Sequence, residues 1–380
     1  MTTTLIAGAR LVLPDRVLEG GSLLLKGGRI EAIFAAGAAL PPADERIEAR
    51  GAWVTPGLVE HHIHGVGGVG FDGLGDDPEA AAAKLLALRD FLRERGVTSF
   101  VPTLLWKPRE VSALVNALEA SGLDEATVPG IHLEGPFINM GKRGGIFAEC
   151  VHAPDEALLL SILERCRGTL KLMTIAPELP GAAGLYPILQ RAAVLPYLGH
   201  SNALLEDVEL PSGPFGVTHL FNAMSGFSHK DAGLAMLPFV DRRPFVELNA
   251  DGVHVGAWAL RAAASALDPT RLILISDAVV AAGLPHGDYT YYDSTVRSGP
   301  EGVRYADSGV LMGSNRLAPG VLRNYLEVTG AAVPQAVAAL SLNPWTALGA
   351  AEKRGSIAVG QEARLVLWEG QFETARQVLS

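Results

Sequence analysis

Two histidines, His62 and His64, stand two residues apart in the segment Pro56-Gly57-Leu58-Val59-Glu60-His61-His62-Ile63-His64-Gly65. Side chains of a β-strand alternate between its faces, so in a strand these two point to the same side. Two imidazoles on one face, followed by Gly65, Gly67, Gly68 and Gly70, form half of a metal site. His61 alternates with His62 and is expected to face outward.

The rest of the site must come from elsewhere in the chain. Eight short apolar runs follow one another, over 58–64, 97–103, 130–134, 171–176, 194–200, 216–220, 245–250 and 272–277. Amphipathic stretches such as 79–95 and 157–166 lie between several of them. Strands alternating with helices at this count predict a (β/α)8 barrel, and the chain length suits one. A doubly wound open sheet is the alternative. It ranks lower, because no Gly-x-Gly-x-x-Gly follows the first strand.

Barrel enzymes work at the C-terminal ends of their strands. Here those ends carry His62 and His64, then Glu134, His200, His219, Asp251 with His254, and Asp277. His132, two residues before Glu134, is a supporting candidate. Each residue alone has an ordinary structural reading, such as a loop cap or a hydrogen-bonded core histidine. Together, buried at one mouth without an ion, they would carry a large desolvation cost. Imidazole and carboxylate donors suit zinc, iron or manganese, one ion or two. Such an ion would polarise a carbonyl and make a water acidic, and Asp277 is placed to act as general base.

Both chain ends read as short strands. The Lys26-Gly27-Gly28-Arg29 stretch reads as a hairpin turn, and a strand-like tail runs over 363–368. The expected organisation is a small β-sandwich domain from 1–55 plus 355–380, around a catalytic barrel over 56–354. A net charge of −10 argues against nucleic acid or an anionic membrane as partner. Two cysteines, Cys150 and Cys166, make no disulfide framework and suit a reducing cytoplasm. No signal peptide or membrane-spanning run is evident.

The segment 56–65 resembles the strand-one signature of the amidohydrolase superfamily. His132-Leu133-Glu134-Gly135-Pro136-Phe137, Gly199-His200-Ser201-Asn202-Ala203, Thr218-His219-Leu220-Phe221-Asn222-Ala223-Met224, Asp251-Gly252-Val253-His254 and Ser276-Asp277-Ala278 together resemble the sugar-phosphate deacetylases within it. The resemblance spans essentially the whole chain. It implies hydrolysis of the acetamide of N-acetylglucosamine 6-phosphate to glucosamine 6-phosphate and acetate, in amino-sugar catabolism. It implies a main metal on Glu134, His200 and His219, a second on His62 and His64, and Asp277 as the catalytic Asp. It assigns Asn222, Ala223 and His254 to substrate, and it implies a homodimer. The 287–309 segment reads as a hairpin inserted after strand eight.

Two positions depart from that family. The His expected shortly after Glu-Gly-Pro is replaced by Ile146, and an Arg offered to phosphate by the neighbouring subunit is replaced by Lys230. Lysine keeps the charge but loses the bidentate fork. Another N-acyl amino sugar, an N-acyl amino acid or a cyclic amide is therefore the alternative substrate. The carbamylated Lys of many cyclic amidases has no counterpart here, since Lys171 starts its run rather than ending it. A metal-free binding scaffold is disfavoured by the retained ligand set.

Overall fold

A computed structural model describes residues 2–379. Its centre is a sheet of eight parallel strands: Leu58–Ile63, Val97–Leu104, Ile131–Leu133, Leu170–Ile175, Leu195–Leu198, Gly216–Val217, Phe245–Asn249 and Leu272–Ile275. Each strand pairs with the next in chain order. A parallel bridge between Ile63 and Ala278 joins the last strand end to the first, and His64 N donates to the Ala278 carbonyl at 2.8 Å. The sheet therefore closes into the expected barrel, and the open-sheet alternative is excluded.

The helices form for local reasons. Pro78–Arg93 starts at Asp77, whose carboxylate accepts from Glu79 N, and Pro78 occupies the first helical turn. Its residues Ala81, Leu85, Leu88 and Leu92 share one face and are buried. Glu156–Cys166 is capped in the same way by Asp155, which accepts from Leu158 N.

Inside the barrel the fit is tight. Tyr197 lies fully buried against Val101 and Leu172, opposite Gly216 in the parallel register. A Cβ at Gly216 would sit 2.3 Å from the Tyr197 ring, so only glycine allows that ring in.

The chain ends combine as expected in one seven-stranded mixed sheet. Thr3–Val12 pairs with Val17–Lys26, Glu45–Glu48 and Trp53–Pro56, and Leu365–Glu369 joins Trp53–Pro56 to Thr374–Leu379. Ile6, Leu11, Leu23, Val54, Leu365 and Leu367 form its own apolar core. After the eighth barrel strand comes more than a hairpin. Gly287–Tyr291, Ser294–Gly299, Gly302–Tyr305 and Leu311–Gly313 make a four-stranded antiparallel sheet whose ends reach the barrel mouth. No helix among the described residues is long and apolar enough to cross a membrane.

Candidate metal and active site

A cavity of about 230 Å³ opens at the C-terminal ends of the barrel strands. His64, Glu134, His200, His219, Asn222, Ala223, His254 and Asp277 all line it. His62 lies beneath, fully buried, with its Nε2 3.3 Å from His64 Nε2.

The ligand-type residues that face the cavity form two groups, linked by Glu134, and a third set, His62 with His132 and Glu247, lies deeper. His200 Nε2 is 2.9 Å and His219 Nε2 3.0 Å from Glu134 Oε1, and the two imidazole nitrogens are 3.0 Å apart. Glu134 Oε2 turns the other way, 3.3 Å from His64 Nε2. Asp277 Oδ1 lies 3.5 Å from His64 Nε2 and 3.7 Å from His62 Nε2. The backbone bends sharply to bring these side chains in. His200, His219 and Asp277 all have positive φ, at 46°, 30° and 54°. Such left-handed conformations are costly for these residue types and persist where the surroundings enforce them.

The tautomers show what the groups can hold. His200 Nδ1 lies 2.8 Å from the Lys142 carbonyl, which can only accept, so Nδ1 carries the proton and Nε2 of the neutral ring presents a lone pair. His62 Nδ1 lies 3.1 Å from the Glu247 carboxylate, which fixes a proton there and leaves Nε2 as the atom that can present a lone pair to an ion. These lone pairs face Glu134, His219, His64 and Asp277, which are themselves donors of electron pairs. A cation between them satisfies both groups. Glu134–His200–His219 and His62–His64–Asp277 each bring their ligand atoms within 4.8 Å of one another. Burial alone would raise the Glu134 carboxyl. The imidazoles of His200, His219 and His64 packed around it instead hold it well below the usual range, as an anion.

His254 sits at the rim, with its Nδ1 donating to Asp251 Oδ2 at 2.8 Å. Asp251 Oδ1 also accepts from the backbone N–H of Val253 and His254. Burial opposes both charges, but the partner outweighs it: Asp251 is lowered to about 2 and His254 is raised above its ordinary value. The depressed Asp251 stabilises the fold above the ordinary Asp value, and that contribution fades as pH falls toward about 2. The raised His254 stabilises it below the ordinary His value, and that contribution fades as pH rises through the raised one. In Asp251→Asn the His254 ring is expected to titrate at lower pH. Proton NMR of its ring reads this directly, and an unmoved titration would contradict the pairing.

One sequence expectation meets a different outcome. His61 does not face outward: it is fully buried, with Nδ1 2.8 Å from Glu247 Oε1. The register slips between Glu60 and Ile63, a bulge that turns His61 and His62 to the same carboxylate. Lys230 is exposed on its loop and does not line the cavity within one subunit. Ile146, in the place of the expected His, is buried in the cavity wall. Lys171 lines a separate cavity with Leu195 and Pro214, toward the strand starts, remote from the ligand groups.

Sequence reasoning overlooked Glu247, Tyr291 and Glu60. Tyr291 Oη lies 3.4 Å from His64 Nδ1. Glu60 accepts from Ser276 Oγ and Ala318 N, tying the first strand to the eighth and to the helix Ala318–Thr329. A carboxylate in the middle of an apolar run was the available signal for Glu247.

Comparison with known proteins extends this geometry. The model of the amidohydrolase family matches residues 53–379. The chain is 34% identical to the N-acetylglucosamine-6-phosphate deacetylase of Bos taurus, over 96% of this chain and 93% of that one. It is 30% identical to the N-acetylgalactosamine-6-phosphate deacetylase of Escherichia coli O157:H7, over 96% and 94%. Among solved structures it resembles an aspartate-to-alanine mutant of the Mycobacterium smegmatis N-acetyl-D-glucosamine-6-phosphate deacetylase in complex with N-acetyl-D-glucosamine-6-phosphate. There the TM-score is 0.87 at 30% identity, covering 100% of this chain and 98% of that one.

Proposed function

This chain belongs to the amidohydrolase family, and we propose that it hydrolyses the acetamide of N-acetylglucosamine 6-phosphate to the free amine and acetate. The observation that carries the reading is the convergence of four histidines, Glu134 and Asp277 on one cavity, with imidazole lone pairs facing carboxylates. The substrate follows from relatives of this activity matched over nearly their whole length at about a third identity.

In this reading Glu134, His200 and His219 hold one divalent ion, zinc in the first place, and His62, His64 and Asp277 offer a second position. Such an ion supplies Lewis-acid polarisation of the acetyl carbonyl and makes water acidic near neutral pH. The protein's own part is positioning and proton transfer. Asp277 Oδ1 takes a proton from the attacking water and returns it to the departing amine nitrogen, which then leaves as a neutral amine. His254, oriented by Asp251, faces the sugar. Asn222 and Ala223 are assigned to the phosphate end. Lys230, away from the cavity in one subunit, is assigned to phosphate across the interface of a homodimer. A cytoplasmic setting suits the two buried free thiols, Cys150 and Cys166.

The test is acetate release by metal-loaded protein from N-acetylglucosamine 6-phosphate, its galacto epimer and unphosphorylated N-acetylglucosamine. Preference for the gluco phosphate is the expected result. Preference for the galacto epimer would transfer the assignment to the other relative's activity, and inactivity on all three would sink the sugar-phosphate reading.

A further inference from the structure

The ligand His62 is held from below by a carboxylate to which the reading above gives no role. Glu247 lies in the middle of the seventh barrel strand, fully buried, and points into the barrel under the ligand groups. Its Oε2 is 3.1 Å from His62 Nδ1 and its Oε1 2.8 Å from His61 Nδ1. Its backbone carbonyl accepts from Leu220 N, next to the ligand His219. The bulge in the first strand is what lets consecutive histidines reach the two oxygens of one carboxylate.

We infer that Glu247 is the positioning residue that makes the His62–His64–Asp277 group able to hold an ion. The inference rests on the two-position reading proposed above. The physical argument is about tautomer and charge. An ionised carboxylate can only accept, so it fixes the His62 proton on Nδ1 and leaves the Nε2 lone pair aimed at His64 and Asp277. A carboxylate behind an imidazole also makes it a stronger donor and locks its rotation. His61 occupies the other oxygen. His61 is a member of none of the ligand clusters among the described residues, and its contact is with the carboxylate. The Glu247 side chain makes no hydrogen bond to Glu134, His200 or His219, and His200 is oriented by the Lys142 carbonyl instead.

The prediction is therefore selective. Glu247→Gln keeps the shape and loses the charge, and its amide can accept from only one of the two rings. Loss of an outer partner of this kind costs about 10–100-fold in metal affinity. The experiment is calorimetric titration of metal-stripped protein with zinc, repeated with cobalt(II) to follow the absorption band of each position. Wild type is expected to take up two ions per subunit. Glu247→Gln should bind the first unchanged and the second at least tenfold more weakly. His61→Phe, which leaves Glu247 on His62, should keep both. Unchanged second-ion affinity in Glu247→Gln would overturn the inference, and so would equal loss of both ions in the two variants, the mark of general damage to the barrel. A wild-type protein that takes up one ion would instead remove the second position itself, and the inference with it. That outcome is read from the wild-type curve before any variant is made.

Discussion

Asp277→Asn is expected to bind the sugar phosphate and fail to turn it over. Asp277 ends the eighth strand in a left-handed conformation, at φ 54°. Its backbone is tied on both sides: its N–H donates to the His62 carbonyl, and its carbonyl accepts from Ser314 N. The side chain is thereby fixed with Oδ1 3.5 Å from His64 Nε2, at the cavity wall. Asparagine copies the shape and keeps one acceptor oxygen but cannot hold a proton in transit. Loss of a positioned general base costs roughly 10²–10⁴-fold in rate. The loss should fall on kcat with KM little changed, because the step removed is made only in the transition state. Steady-state acetate release, with ion content measured on the same samples, reads the split. Turnover within a few fold of wild type, with ions bound, would sink the role.

Glu134→Gln is expected to lose both ion and turnover. Glu134 is the one residue that addresses both groups, Oε1 toward His200 and His219 and Oε2 toward His64. Its charge is what neutralises an ion in a buried place, and the surrounding histidines already hold it ionised. The amide removes that charge and aims N–H bonds at imidazole lone pairs or at the cation's place. The fall should exceed the roughly 10–100-fold that loss of an outer partner brings. Elemental analysis after dialysis and acetate release together check it. Full ion content in this variant would show that Glu134 is no ligand.

The fold and most of the site were legible for one reason. In a parallel barrel every strand is buried on both faces, so its run is apolar throughout and a polar residue at its end stands out. Glu134, His200, His219 and Asp277 were visible that way, and His62 and His64 by their spacing. The second layer was not. His61 was assigned to the outside by strict alternation, and the bulge between Glu60 and Ile63 breaks that alternation. A register slip depends on pairing with the neighbouring strand, which no local pattern encodes. Glu247 was passed over because it sits mid-strand, although a lone carboxylate between Val246 and Leu248 needs a buried partner. Lys230, Asn222 and Ala223 lie on long connections, whose course is set by tertiary packing, so the sequence names them without placing them.

The central claim is that the ligand groups and Asp277 form one hydrolytic centre for an acetamide on a phosphorylated sugar. The most direct test is to strip the protein with a chelator, incubate it with N-acetylglucosamine 6-phosphate, and add zinc back stepwise while counting both products. The account predicts no turnover in stripped protein and recovery in step with ion uptake. It also predicts one acetate and one primary amine formed for each substrate consumed. Undiminished turnover in fully stripped protein, or recovery of ion content without any acetate and amine, would contradict it.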